Sequence, residues 1–415
     1  MGVGALRLPR VLPALLPGVL LALVSASPVQ AQPSLQQLLG LPPWLKLQLA
    51  FSAEPLANPL GGNSTTASWI QQSSLNLAVG TALDDQQSPR RELDHWQARL
   101  NLNHFAGDWR YNEAVGALFP LQTVAHPTGF WLSEASLNRK GRNDRWSLKA
   151  GILPINPSFV AVPVLDLYVH SSLNNTLNLS VPNLPISPYA VPGGVVAVKP
   201  RPDLSLRYGW FHLEGNRLPG PGGAAQFLQV DLEGTGLGPS STQPLATCRR
   251  GRGFERARRD CPTPGHVANQ LPGGLISLGG YNTSSSGNGL YGSVTLRSGL
   301  PLGLDERVWV GASITGGSSQ DPAPGYLSGG LVVQGLLPGR PLDLLVLGAG
   351  RGQLDQALTP RPGSSQEAML ELGYRLQLHD QISLQPTVQW IFSPSGSPQA
   401  TADILAAGVQ LNLNF

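Results

Sequence analysis

Charge is scarce in this chain of 415 residues: Asp, Glu, Lys and Arg make up 13% of it, about half the share of an ordinary globular protein. The formal net charge of +3 is small. Six arginines crowd into 249–259, but no basic face is broad enough to hold nucleic acid. Cysteine is limited to Cys248 and Cys261, and His266 alone stands near them, so neither a metal centre nor a cofactor is expected. Beyond residue 24 no apolar run is long enough for a helical membrane span, and residence in a bilayer would have to be by strands. The seven histidines, at 95, 104, 126, 170, 212, 266 and 379, accompany no nucleophile motif. No catalytic residue is assigned, and an enzyme is not expected.

Glycine (49) and proline (38) are abundant instead, a composition that favours strands and turns over helices. Arg7 and Arg10 precede an apolar run from Val11 to Val24, and Val29-Gln30-Ala31 closes it with a small-x-small ending. This is the layout of a cleaved secretory signal over 1–31, with 32–415 as the mature domain. An exported chain meets an oxidising compartment. Cys248 and Cys261 are then expected to form a disulfide worth about 3 kcal/mol in the chain-entropy model.

The last stretch shows the organising pattern. Leu405, Ala407, Val409, Leu411, Leu413 and Phe415 fall on one face, and Ala406, Gly408, Gln410, Asn412 and Asn414 on the other. The same alternation marks 44–54, where Leu45, Leu47, Leu49 and Phe51 oppose Lys46 and Gln48, and recurs in 69–83 and 94–105. Trp131, Ala135 and Leu137 open a hairpin that turns at 140–144 and returns over 145–155. Further strands are expected near 194–200, 204–213, 224–234, 274–283, 290–297, 307–315, 326–337, 342–349, 366–378, 381–391 and 402–415. The fold class is all-β: a transmembrane antiparallel β-barrel of about 16 strands, with 18 possible.

If the C-terminus lies in the periplasm, strand parity places every connection. Short links fall on the periplasmic side at 139–144, 200–203, 338–341 and 379–380. Long ones fall outside at 55–68, 106–128, 156–193, 350–365 and 392–401, the asymmetry of transmembrane barrels. Segment 235–273 is the exception, periplasmic yet long. It is either an excursion, the favoured reading because its arginine-rich core has no alternation, or the place where a further strand pair hides.

Two regions carry a family resemblance. One runs from GFWLSEASLNRKGRNDRWSLKAGILPINPSF (129–159) into the Asn/Ser-rich stretch with spaced prolines at 169–200. The other is the C-terminal third, with YLSGGLVVQGLLPGRPLDLLVLG (326–348) and EAMLELGYRLQLHDQISLQPTVQWIFSPSGSP (367–398). Together they resemble the carbohydrate-selective porins of the OprB family, over roughly half the mature chain. The terminal Phe415 is similar to the signal by which bacterial outer-membrane barrels reach their assembly machinery. The resemblance implies a 16-stranded outer-membrane channel for sugars or similar solutes, in contact with outer-membrane lipid. Residues 32–43 could not hold the extra N-terminal domain of some larger relatives, so the barrel alone is expected. By the same resemblance the third external loop, 156–193, folds inward as the constriction.

That loop holds one carboxylate, Asp166, and no Lys or Arg. Its constriction candidates are Asp166, Tyr168, His170, Asn174, Asn175, Asn178 and Tyr189, groups suited to uncharged hydroxylated solutes. A polar loop of no special role would read the same way. Inward wall candidates are Lys46, Arg99, Arg145, Lys149, Arg207, Arg297, Arg307 and Arg375, against Glu134, Asp231, Glu233, Asp343 and Glu371. The basic excess points to a slight anion preference, unless these charges simply pair within a wet lumen. Glu371 and Arg375 share one face and could pair with each other. Trp44, Trp69, Trp96, Trp131, Trp146 and Trp390 lie near strand ends, as an aromatic girdle requires. The alternative functions are a general or inorganic-ion porin, then an outer-membrane barrel hydrolase, then a secreted β-sandwich.

Overall fold

A computed structural model describes residues 39–42, 44–80, 95–141, 145–174, 184–213, 222–234, 274–284, 287–298, 304–316, 321–337, 340, 342–379 and 381–415. The expected signal segment, Cys248, Cys261, Asn175 and Asn178 lie outside the described residues. Among the described residues there are eighteen strands: β1 (Leu45–Ala53), β2 (Leu56–Leu60), β3 (Ala67–Ser68), β4 (Ile70–Gly80), β5 (His95–Gly107), β6 (Gly129–Lys140), β7 (Trp146–Leu153), β8 (Val191–Arg201) and β9 (Leu204–His212) in the first half. The second half holds β10 (Ala224–Glu233), β11 (Gly274–Thr283), β12 (Gly287–Arg297), β13 (Asp305–Thr315), β14 (Gly325–Gln334), β15 (Leu344–Gln353), β16 (Gln366–His379), β17 (Ile382–Phe392) and β18 (Ile404–Asn414).

β4 to β18 pair in chain order, each antiparallel to the next, and β1 bridges β18 and β4. With β2 and β3 outside this circuit, sixteen of the eighteen strands form one closed barrel. Closure leaves no unpaired edge, the condition a sheet must meet to sit in hydrocarbon. The two additional strands lie in the connection after β1; the segment 235–273 is outside the described residues. β10 pairs directly with β11, its neighbour across that segment.

At the seam, β18 divides its pairing. Its last residues meet β1, from Ala53↔Leu411 to Ala50↔Asn414, while Gly408 and Ala407 meet Leu56 and Ala57 of β2. The chain crosses so close at that fork that a Cβ on Gly408 would lie 2.3 Å from the Pro55 carbonyl oxygen, so no side chain fits.

The alternation read in the sequence becomes an outward apolar face and an inward polar one. Leu49, Leu228, Leu278, Leu290 and Val310 are all exposed on the outside. Trp44, Trp96, Trp146 and Phe415 ring the C-terminal rim, and Trp69, Phe130, Trp210, Trp390 and Phe392 the opposite one. Arg139 lies between two of these indoles, 5.2 Å from the Trp96 ring and 5.5 Å from Trp146, a cation held where a headgroup layer would be.

Trp131 corrects the expectation that it belongs to the girdle. Between β5 and β6 the register jumps from Asn101↔Glu134 to Leu102↔Leu132, so Ser133 is an inserted residue. The bulge reverses the phase of the strand beyond it. Phe130 and Leu132 face out, and Trp131 turns inward against Ile70, Phe105 and Val124.

Candidate channel constriction

Two connections of the rim opposite the C-terminus fold back into the barrel. The first, 108–128, contains helix α1 (Tyr111–Val115). The second, described over 154–174 and 184–190, contains a 3₁₀ turn (Leu165–Leu167) and helix α2 (Ser171–Asn174). Their inward course follows from composition. Ile155, Phe159, Val162, Val164, Leu165, Leu167 and Leu173 are too apolar to remain in water, and all are buried. The inner wall offers a matching surface. Phe159 packs against Phe211 and Phe227 with ring centroids 6.2 and 5.3 Å away, and Tyr168 meets Trp309 at 5.4 Å. Part of the lumen is therefore filled by a hydrophobic core.

Wall glycines make this approach possible. Gly348, Gly350 and Gly352 face inward on β15, and a Cβ on Gly348 would lie 2.3 Å from the Tyr168 ring. At Gly352 it would meet Phe119 at 2.8 Å. A track without side chains lets both loops lie flat on the wall.

Buried polar side chains hold the loops by their backbones. The Val169 and His170 amides donate to the two carboxylate oxygens of Glu371 at 2.8 and 2.6 Å. Glu367 accepts from the amides of Leu118, Phe119 and Ser395. Glu54 accepts from Thr123, from the Val124 amide and from Gln410. Gln385 and Gln389 donate to the carbonyls of Leu167 and Leu121, at 2.8 and 2.9 Å. Tyr326 donates to the Ser172 carbonyl, and the Tyr168 hydroxyl donates to Leu347 while accepting from Trp309. The two loops also join each other, because the Ser171 amide and hydroxyl both donate to the Pro120 carbonyl. Buried carboxylates are costly unless hydrogen-bonded, and irregular backbone needs partners too. Each satisfies the other.

The constriction candidates divide between anchors and lining. Tyr168 and His170 are wholly buried, so they fasten the loop and do not meet solute. Asn174 donates to the carbonyls of Tyr168 and Leu165 and shapes the turn. Tyr189 packs edge-on to Trp131 and His126 at 5.0 and 6.1 Å. Among the described candidates, Asp166 alone has an exposed side chain. Enclosure by protein pushes its carboxyl up to about 6, opposed by the Arg375 guanidinium. Water reaching the exposed carboxyl weakens the first influence. Burial holds His126 and His170 neutral, at about 4 and about 3.

The wall candidates sort by partner. Lys149 bridges to Glu134 at 2.7 Å. Arg207 pairs with Asp231 and donates to the Ser158 carbonyl at 2.6 Å, bracing the start of the second loop. Arg340 takes Asp343 through two nitrogens, at 2.7 and 2.9 Å. Glu371 is committed to the loop amides and does not pair with Arg375, whose charge acts on Asp166. Arg297 and Arg307 are register partners on neighbouring strands, and Arg145 and Glu233 sit exposed near the C-terminal rim. Lys46 and Arg99 border an open hollow on the inner face of β1, β4, β5 and β6.

Sequence reasoning missed Glu54, Glu367, Gln385, Gln389 and the Gly348 track. A signal was present: Glu367, Glu371, Gln385 and Gln389 repeat acid and amide groups on the inward faces of adjacent strands. A water-filled wall has no need for such an accumulation.

A family model described as "Carbohydrate-selective porin, OprB family" matches residues 89–415. No protein among those curated for function matches the sequence. The high-pH structure of Pseudomonas putida OprB resembles the chain with a TM-score of 0.69 at 14% identity, covering 90% of this chain and 94% of that one. Its low-pH structure gives a TM-score of 0.56 at 14% identity, covering 94% and 100%.

Proposed function

Because the chain belongs to the OprB family of carbohydrate-selective porins, a family of channels for passive diffusion, we propose that it admits small neutral sugars across the bacterial outer membrane. The barrel's outward apolar band and its two aromatic rings fit residence in that membrane. We place the C-terminal rim in the periplasm and the two inward loops at the outer mouth. Residues 1–31 would direct export, the C-terminal strand would engage the assembly machinery, and Cys248 and Cys261 would pair once exported.

One observation carries the choice of solute. The loops that narrow the lumen are fastened by their own backbones to buried wall residues, and Asp166 is the exposed acid of the second loop, within the field of the buried Arg375 guanidinium. A lone carboxylate whose field is opposed by a cation in the wall repels little at a distance yet offers acceptors to hydroxyl groups. Solute passes by diffusion, so selectivity rests on radius and lining.

The test is liposome swelling with neutral sugars against charged analogues of equal size. Faster swelling with the neutral set is expected; ion conductance without sugar passage would overturn the proposal in favour of an ion porin. The basic wall supports a slight anion preference in addition. Under a KCl gradient, Asp166→Asn should move the reversal potential further toward the anion value, as should acidification of the wild type below about pH 6.

A further inference from the structure

The hollow beside Lys46 and Arg99 belongs to neither inward loop. It has a volume of about 300 Å³ and is bordered by Lys46, Gln48, Asn76, Ala78, His95, Gln97, Arg99, Asn101, Glu134 and Lys140. Strand register explains its shape. One row across the wall reads Lys46, Ala78, Arg99 and Ser136, so a methyl group stands between two long basic side chains. Gly80 lies two residues further toward the C-terminal rim on the same face, and the floor is low there as well. The next row toward the loops reads Gln48, Asn76, Asn101 and Glu134, three amides and an acid. His95 and Lys140 face each other in register at the rim.

Adjacent strands lie about 4.8 Å apart, so Lys46 and Arg99 rise from backbones about 10 Å apart across Ala78. That gap fits a tetrahedral or planar oxyanion between an ammonium and a guanidinium. Glu134, the acid bordering the hollow among the described residues, already bridges to Lys149 at 2.7 Å and accepts from Ser136 at 2.5 Å. Arg99 is oriented by Gln97, whose side-chain oxygen accepts from its Nε at 2.8 Å. The amides of the second row then face whatever body carries the anion.

We propose that this hollow is a binding subsite at the C-terminal mouth for the phosphate or carboxylate of an acidic, hydroxylated solute. It deepens the porin reading and rests on it for orientation. Lys46 and Arg99 hold the oxyanion over Ala78, and Gln48, Asn76 and Asn101 hydrogen-bond the hydroxylated body. The subsite lies past the inward loops, where it catches an acidic sugar at the periplasmic end of its passage or one approaching from that side.

The probe is glucose 6-phosphate on the KCl current of single channels of the full chain in a planar bilayer, with glucuronate, inorganic phosphate and glucose as comparison solutes. Wild type should be blocked by glucose 6-phosphate and glucuronate at lower concentration from the C-terminal side than from the loop side. Inorganic phosphate should block less, and glucose not at all. Each block constant is taken relative to that variant's own open current. The double variant Lys46→Gln, Arg99→Gln should weaken the block about tenfold or more. Ala78→Leu, which adds no charge and only raises the floor, should weaken it comparably and stands in where the double variant fails to insert. Unchanged block in these variants, or equal potency of inorganic phosphate and glucose 6-phosphate, would overturn the subsite. Liposomes that fail to swell in glucose would instead count against the porin reading, because the block is read from salt current alone.

Discussion

Glu371 shows what a single buried carboxylate does in this barrel. Its two oxygens each take one amide of the second inward loop, and the Gln389 side-chain amide donates to one of them at 3.4 Å. Replacing it with Ala removes both acceptors and leaves two buried amides unpaired, a cost of about 2–4 kcal/mol in loop docking. The expected result is a Glu371→Ala barrel that still inserts, with larger and noisier single-channel currents; Glu371→Gln, which keeps one good acceptor, should fall between the two. Unaltered currents in the Ala variant would show that the loop is held by its apolar packing alone. Period-two reading puts Glu371 among the inward residues; the structure has it buried and bonded to the second loop. Its partners lie about two hundred positions away in the chain, at Val169 and His170, and no local pattern encodes a contact of that span. The same limit hid the role of Tyr168. It was legible as a loop aromatic, but its burial depends on Gly348 and Trp309 of distant strands.

At the scale of elements, alternation made the strands legible because each has one face in oil and one in water. It misplaced Trp131 because an inserted Ser133 shifts the phase without leaving a turn signal. The inward loops were harder. Segment 156–193 was judged by its polar residues, whereas Phe159, Val162, Leu165 and Leu167 decide where it goes. Two histidines make the docking sensitive to pH. His170 is fully buried, its Nδ1 beside the Ser172 hydroxyl at 2.8 Å, and His126 packs between Phe105 and Tyr189. Burial holds them at about 3 and about 4, whereas an undocked loop would return them to an ordinary value of about 6.5. The docked state therefore binds fewer protons between these limits. The histidine contribution to its stability is fully present above about pH 6.5 and falls as pH drops toward the docked values, by about 2–3 kcal/mol for His170 at pH 4.5. Hydrogen exchange should show 165–174 more labile at pH 4.5 than at pH 7, with the difference reduced in His170→Asn. Equal protection at both pH values in the wild type would refute the coupling.

For the whole molecule the closing seam decides whether there is a barrel at all, and the last residue of the chain is part of it. The Phe415 amide donates to the Leu49 carbonyl at 2.8 Å, and the Leu49 amide donates back to the Phe415 carbonyl at 3.0 Å. Its ring is exposed on the outward face, at the same rim as Trp44, Trp96 and Trp146. One residue thus supplies a reciprocal pair of ladder bonds and an interfacial aromatic, and two variants separate the contributions. Phe415→Ala keeps the two backbone bonds and loses the ring. Deletion of Phe415 loses both, at the one junction where first and last strands must meet after all the others have paired. Each ladder bond contributes about 1 kcal/mol in water and more where lipid is the alternative. Heating the detergent-extracted protein should therefore unfold the Ala variant slightly below wild type and the deletion well below it, followed by the shift of the folded band in unboiled gel electrophoresis. If the two variants melt together, the ring alone matters and the seam bonds are dispensable. If both melt with the wild type but reach the membrane in smaller amounts, Phe415 acts through the assembly machinery and not through the stability of the finished barrel.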